Sequence, residues 1–157
     1  MIQRSLRLWL GCFLLSGCSQ PAPPVDPVRD SFHNFVAYSE ARARGEESGA
    51  YRIRFDSGRG FTPATGDTPA EGTVSVRIES PTEVRQGLGA RPAMAIYDHD
   101  LTFIHRNGNW EFKTGTCRTK LLEAFISSGR TASKIEPEKT ETMTALGTAL
   151  ERLFYAK

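Results

Sequence analysis

Hydrophobic and polar positions repeat in blocks that predict a helix first, strands next and helices last. Val28, Phe32, Phe35, Val36, Ser39 and Ala43 fall on one stripe at helical spacing. Asp26-Pro27 supplies a capping side chain and a proline for the first turn, and Gly45 and Gly49 mark the expected end. Tyr51-Arg52-Ile53-Arg54-Phe55-Asp56 and Val74-Ser75-Val76-Arg77-Ile78-Glu79 alternate with period two, as half-buried strands do. Residues 57–72 and 80–92 carry glycine or proline and read as long loops. Asn107-Gly108 predicts a two-residue hairpin turn, because its two central positions need positive φ. That turn sets Phe103 opposite Phe112, His105 opposite Trp110 and Arg106 opposite Asn109, so Leu101, Phe103, His105, Trp110 and Phe112 share a face. Ile96 is out of phase with Leu101, which predicts a bulge near residues 98–100. Residues 120–126 read as a short helix. After the polar stretch 127–133, Glu136-Pro137 opens a second helix with Met143, Leu146, Leu150, Leu153 and Phe154 as its stripe.

These elements predict an α+β domain over residues 28–157: an N-terminal helix packed on a curved four-stranded antiparallel meander, with one or two C-terminal helices. A helix followed by a meander that ends in Asn107-Gly108-Asn109-Trp110 resembles the cystatin-like or nuclear-transport-factor-2-like α+β class over residues 27–118. The resemblance implies a sheet curled around the first helix. It implies no activity, because that fold hosts binders, enzymes and inert modules. The central Gln-x-Val-x-Gly loop of the cystatin inhibitors is missing. The nearest segment, Glu83-Val84-Arg85-Gln86-Gly87, does not match it, so protease inhibition is not carried over.

The N-terminus has a different character. Arg4 and Arg7 precede the apolar run Leu8-Trp9-Leu10-Gly11-Cys12-Phe13-Leu14-Leu15, which has the length of a secretion-signal core and is far too short to span a bilayer. Leu15-Ser16-Gly17-Cys18 resembles the lipobox of bacterial lipoproteins. The resemblance implies a signal peptide over residues 1–17 and a diacylglycerol thioether on Cys18, with further acylation by a chain such as palmitate. Each buried methylene is worth about 0.8 kcal/mol, so several chains hold the protein on a membrane durably. Cys18 and the Pro-rich stretch to Pro27 then form a tether, extended by its prolines. The family's retention signal, an Asp after the cysteine, is replaced by Ser19, which implies the outer membrane, facing the periplasm, in a cell with two membranes.

Composition sharpens this picture. The chain has 157 residues, 39% of them hydrophobic and 10% aromatic, enough for one domain with a real core. The formal charge of +2 belongs to the leader, since residues 1–17 contain Arg4 and Arg7 and no acid. The processed chain is neutral, and nucleic acid is not an expected partner. Cys12, Cys18 and Cys117 are too few for a disulfide scaffold or a four-ligand zinc site. Cys117 is left as an unpaired thiol.

Candidate chemistry is sparse. Asp98-His99-Asp100 with His105 is the one acid–base or metal-like cluster, but His99 and His105 lie roughly 20 Å apart along a strand at ~3.3 Å per residue. No metal site and no cofactor are expected. Arg52, Arg54 and Arg77 lie with Asp56 and Glu79 on the polar faces of the first two strands, as a solvated ladder of opposite charges or as an arginine-rich surface for an anionic ligand. Tyr97, His105 and Trp110 are the side chains available to a pocket inside the curved sheet. Nucleophile elbows, phosphate-binding glycine loops and paired-cysteine motifs are missing. The sequence therefore points to a lipid-anchored cell-envelope module that binds or scaffolds an envelope protein or polymer without chemistry. The alternative is a small-ligand or enzymatic pocket at Tyr97, His105 and Trp110.

Overall fold

A computed structural model of the chain describes residues 26–46, 51–86, 89–123, 133–134 and 136–155. The signal segment, Cys18 and the tether up to Val25 lie outside the described residues, as do Gly49, Gly87 and residues 124–132. Over the described residues the architecture is α+β, with two helices and a six-stranded antiparallel sheet.

Helix α1 spans Pro27–Glu46. Asp26 caps it, its Oδ1 accepting from the backbone N–H of Val28 and Arg29 at 3.0 and 3.2 Å. The predicted stripe is the buried one: Phe32, Val36, Ser39 and Ala43 face inward, with Val28 and Phe35 packed beside them. Strands β1 (Arg52–Thr62), β2 (Glu71–Gln86), β3 (Gly89–Arg106) and β4 (Asn109–Glu123) follow as consecutive antiparallel neighbours. Two short strands, β5 (Ser133–Lys134) and β6 (Lys139–Met143), both pair with β4. Helix α2, Thr148–Tyr155, closes the domain.

The Asn107-Gly108 turn has φ of 51° and 79°, and the hairpin has the predicted register, with Phe103 opposite Phe112 and His105 opposite Trp110. Other expectations need correction. The four-stranded meander is the first part of a six-stranded sheet. Strand β1 runs on to Thr62 and β2 starts at Glu71, so half of the first predicted loop is strand. Most of the second is strand as well, because residues 80–86 and 89–92 extend the β2–β3 hairpin. Pro81 and Pro92 look like breakers, yet among the described residues each sits where its strand pairs with one neighbour only. Pairing of β1 with β2 begins at Glu79, and that of β4 with β3 ends at Ala93. A proline there leaves no ladder bond unmade.

The helix read over residues 120–126 is also corrected: Lys120 to Glu123 belong to β4, and the rest lies outside the described residues. Glu136-Pro137 opens no helix. Lys139–Met143 instead covers the edge of β4, and the helix starts at Thr148, although Leu146, Leu150, Leu153 and Phe154 are buried as read.

No bulge occurs at residues 98–100. Strand β3 is regular there, and Ile96 is out of phase with Leu101 because it faces the opposite side of the sheet. The irregularity lies where Thr102 pairs Thr114 but Phe103 pairs Phe112, which leaves Lys113 as the extra residue. That residue switches the phase of β4: Trp110 and Phe112 face the helices before it, and Gly115 and Cys117 do so after it.

The core lies between the helices and one half of the sheet. Phe32 is fully buried and lies on the backbone of Gly72, between Phe61 of β1 and Phe103 of β3. Its ring stands 4.7 Å from Trp110, and Phe154 of α2 stands 4.8 Å from Phe103 and 5.3 Å from Phe35. Each such side chain removed from water contributes about 1.5–3 kcal/mol. Trp110 Nε1 donates to Ser31 Oγ at 3.1 Å, which ties the hairpin to the first turn of α1.

Candidate functional site

The two faces of the sheet differ. Val74, Val76, Leu101 and Phe103 point at the helices. Strand alternation turns Ser75, Arg77, Glu79, Asp98, Asp100, Thr116, Arg118 and Lys120 to the opposite, outer face. Arg52 and Arg54 join them from β1, opposite Glu79 and Arg77. The three arginines singled out in the sequence thus share one surface.

The centre of that surface is Asp98, 7% exposed. Arg77 Nε reaches its Oδ1 at 2.6 Å from β2, and Lys120 Nζ reaches its Oδ2 at 3.2 Å from β4. Burial alone would raise the pKa of this carboxyl. The hydrogen bonds and charges of Arg77 and Lys120 outweigh it and hold the carboxyl below the ordinary aspartate range. One residue pair further along, Asp100 accepts from Ser75 Oγ at 2.5 Å and faces Arg118 at 3.6 Å. A third link, Lys113 to Glu71, joins β4 to β2 across the strand between them. Ser75, Arg77, Asp98, Asp100 and Arg118 contribute to the lining of a pocket of about 200 Å³. Around Asp98 the register places Arg52, Arg54, Arg77, Lys113, Arg118 and Lys120 together with Asp56, Glu71, Glu79 and Asp100, charges of both signs, and among the described residues Arg52, Arg54 and Arg118 are exposed.

Sequence reading places Asp98 and Asp100 at a bulge, within an acid–base or metal-like cluster, and gives no role to Arg118 and Lys120. The signal was there, since Arg118 and Lys120 are two apart. Their face is legible only once the extra residue at Lys113 is known.

The side chains proposed for an internal pocket divide. His105 and Trp110 stack at 5.0 Å, but Trp110 is engaged by Phe32 and Ser31. Tyr97 stands opposite Ile78 and Thr119, eight residues from His105 and roughly 26 Å along the strand. Within Asp98-His99-Asp100 the histidine faces the helices and the acids face outward, so the three do not converge. Among the described residues, no group of three or more His, Cys, Asp or Glu is arranged to hold a metal ion.

A second surface hollow, about 330 Å³, lies between Phe112, Leu146 and Tyr155 with Glu111 and Glu151 at its rim. Burial pushes the Tyr155 hydroxyl up to about 12 against the lowering effect of a hydrogen bond with the Phe112 backbone. Among the described residues no helix is long and apolar enough to cross a membrane. Cys117 is a free, half-buried thiol whose pKa is raised chiefly by burial. No known protein family, characterised protein or solved structure matches the chain.

Proposed function

We propose that this chain is a lipid-anchored module of the cell envelope that binds an anionic envelope polymer through the outer face of its sheet and carries out no chemistry. The observation that supports this reading is the gathering of three exposed arginines, Arg52, Arg54 and Arg118, on one face of the sheet. Arg52 and Arg54 are exposed there, while Asp98 is buried and already neutralised by Arg77 and Lys120. A polyanion meets cations without having to displace the buried carboxylate. Its binding is dominated by screened charge, so it weakens with salt. The anchor in this reading is Cys18, and the compartment is the periplasmic side of the outer membrane in a two-membrane cell. The helix laid on consecutive antiparallel strands supports placing the domain in the cystatin-like class.

Two variants test the reading separately. Cys18→Ser should leave an unprocessed precursor that takes up no lipid label. Arg52→Glu with Arg54→Glu should keep the fold and the anchor yet reduce retention on an immobilised polyanion, with a shallower salt dependence. Normal maturation of Cys18→Ser overturns the anchor, and unchanged retention of the double variant overturns the surface.

A further inference from the structure

His99, Cys117 and Met143 come from three different strands to one place on the inner face, at the margin of the aromatic core. His99 of β3 and Cys117 of β4 are directly opposite each other, and Met143 of β6 is opposite Gly115, two residues before Cys117. Gly115 has no side chain, so Met143 extends across β4 and its Sδ comes to 3.3 Å from His99 Nδ1. The gap belongs to the packing: a Cβ on Gly115 would meet the Asp100 carbonyl at 2.8 Å and Leu101 Cδ2 at 3.0 Å.

His99 is 8% exposed, and the thioether is the sole hydrogen-bonding partner of its ring among the described residues. Sulfur of this kind is a weak acceptor, and a buried imidazole ordinarily finds an oxygen. An imidazole nitrogen beside a thioether, with a thiol on the facing strand, is instead a soft donor set.

We propose that His99 Nδ1, Met143 Sδ and Cys117 Sγ bind a soft monovalent d¹⁰ cation, Cu(I) or Ag(I). This goes beyond the polyanion-binding reading and does not depend on it. Bonds to zinc, isoelectronic with Cu(I), are about 2.0 Å to imidazole nitrogen and about 2.3 Å to sulfur, and those to the larger Ag(I) are longer. With the zinc lengths the observed 3.3 Å separation corresponds to a bond angle of about 100° at Cu(I), and a narrower one at Ag(I). Two ligands therefore stand ready.

The third needs a rotation about the Cys117 Cα–Cβ bond, because Sγ now leans along β4 to Thr119 Oγ1 at 3.8 Å. Binding forms a sulfur–metal bond and releases the thiol proton to solvent, with no change of oxidation state. Burial favours a neutral His99, the form in which imidazole ligates. Two sulfurs and one nitrogen suit a soft ion of low coordination number and leave hard, oxygen-seeking cations without ligands.

The test uses the full chain with Cys12→Ser and Cys18→Ser, so that Cys117 is the one thiol, titrated with Ag(I). The expected result is one equivalent bound, with shifts in the Met143 ε-methyl and His99 ring signals and none in Met94. Met143→Leu preserves volume and should weaken binding by about tenfold or more. His99→Phe and Cys117→Ser should do likewise. The proposal is overturned if no Ag(I) binds. It is equally overturned if Cys117→Ser abolishes binding while Met143→Leu leaves it unchanged, since that describes a bare thiol. Met143→Leu decides the matter even if His99→Phe fails to fold.

Discussion

Replacing Gly72 by alanine puts one methyl group into the tightest contact of the core. The new Cβ would fall 2.3 Å from Phe32 Cε2 and Cζ and 2.5 Å from Cδ2, where ordinary contact needs more than 3.4 Å. Phe32 cannot yield easily. Its ring is fully buried and hemmed by Trp110 at 4.7 Å and by Phe35 and Phe61 at 6.4 Å. Overpacking of this kind costs about 1–3 kcal/mol, and three simultaneous ring contacts place it near the upper end. Against it stands the gain from removing a glycine inside a strand, about 0.5–1 kcal/mol. The net loss is about 2 kcal/mol, or roughly 8 °C in Tm for a domain of this size. Urea unfolding should show a lower midpoint at unchanged m-value, as a loss of native-state packing requires. Combining Gly72→Ala with Phe32→Leu, which shortens the clashing ring, should recover on the order of 1 kcal/mol relative to the sum of the single changes. A Gly72→Ala protein as stable as the parent, or strict additivity in the double variant, would refute the seating of α1 described above.

Two other perturbations probe the inner clasp and the charged surface. Ser31→Ala removes the acceptor for the buried Trp110 indole N–H and should cost about 1–3 kcal/mol, whereas an exposed serine would cost nothing measurable in the same unfolding assay. Acid should destabilise the protein in two stages. His99 and Asp98 both have folded pKa values below their ordinary 6.5 and 3.8, His99 chiefly through burial, so the unfolded chain binds more protons in each window. Stability therefore rises with pH in both. The His99 contribution is complete above 6.5 and lost as pH falls through its lower folded value; the Asp98 contribution is complete above 3.8 and lost below it. His99→Phe should remove the first stage and Asp98→Asn the second in unfolding curves measured across pH, and an unchanged profile for either variant contradicts the assignment.

What could be read from the sequence was whatever depends on near neighbours. The stripe of α1 repeats within the helix itself, and the Asn107-Gly108 turn is decided by two residues whose φ is positive. The aromatic and aliphatic residues that form the core were recognisable for the same reason. Misreadings gathered where the deciding partner is remote. Pro81 and Pro92 are strand residues because, among the described residues, β1 and β4 do not pair alongside them. Lys139–Met143 is a strand because the edge of β4 is available from Gly115 to Thr119, a fact that no window around residue 141 contains. The candidate site followed the same rule. Arg52, Arg54 and Arg77 were visible by alternation within β1 and β2, but the acids and cations that complete their surface come from β3 and β4.

Lys113 connects the two proposed sites. Strand side chains alternate, so a β4 without an extra residue would keep even-numbered positions on the helix side from Trp110 onward. Arg118 and Lys120 would then be pressed beneath the apolar layer, and Cys117 would face solvent. With Lys113 as the extra residue the phase reverses once, after Phe112. Trp110 and Phe112 still close the core, Gly115 passes beneath Leu101 and Met143, and Cys117 comes to lie opposite His99. Lys120 reaches Asp98 on the outer face by the same reversal. Lys113 itself does not turn inward as a buried charge, because Glu71 holds it on the outside. A single unpaired position in β4 thus assigns Arg118 and Lys120 to one surface and Cys117 to the other.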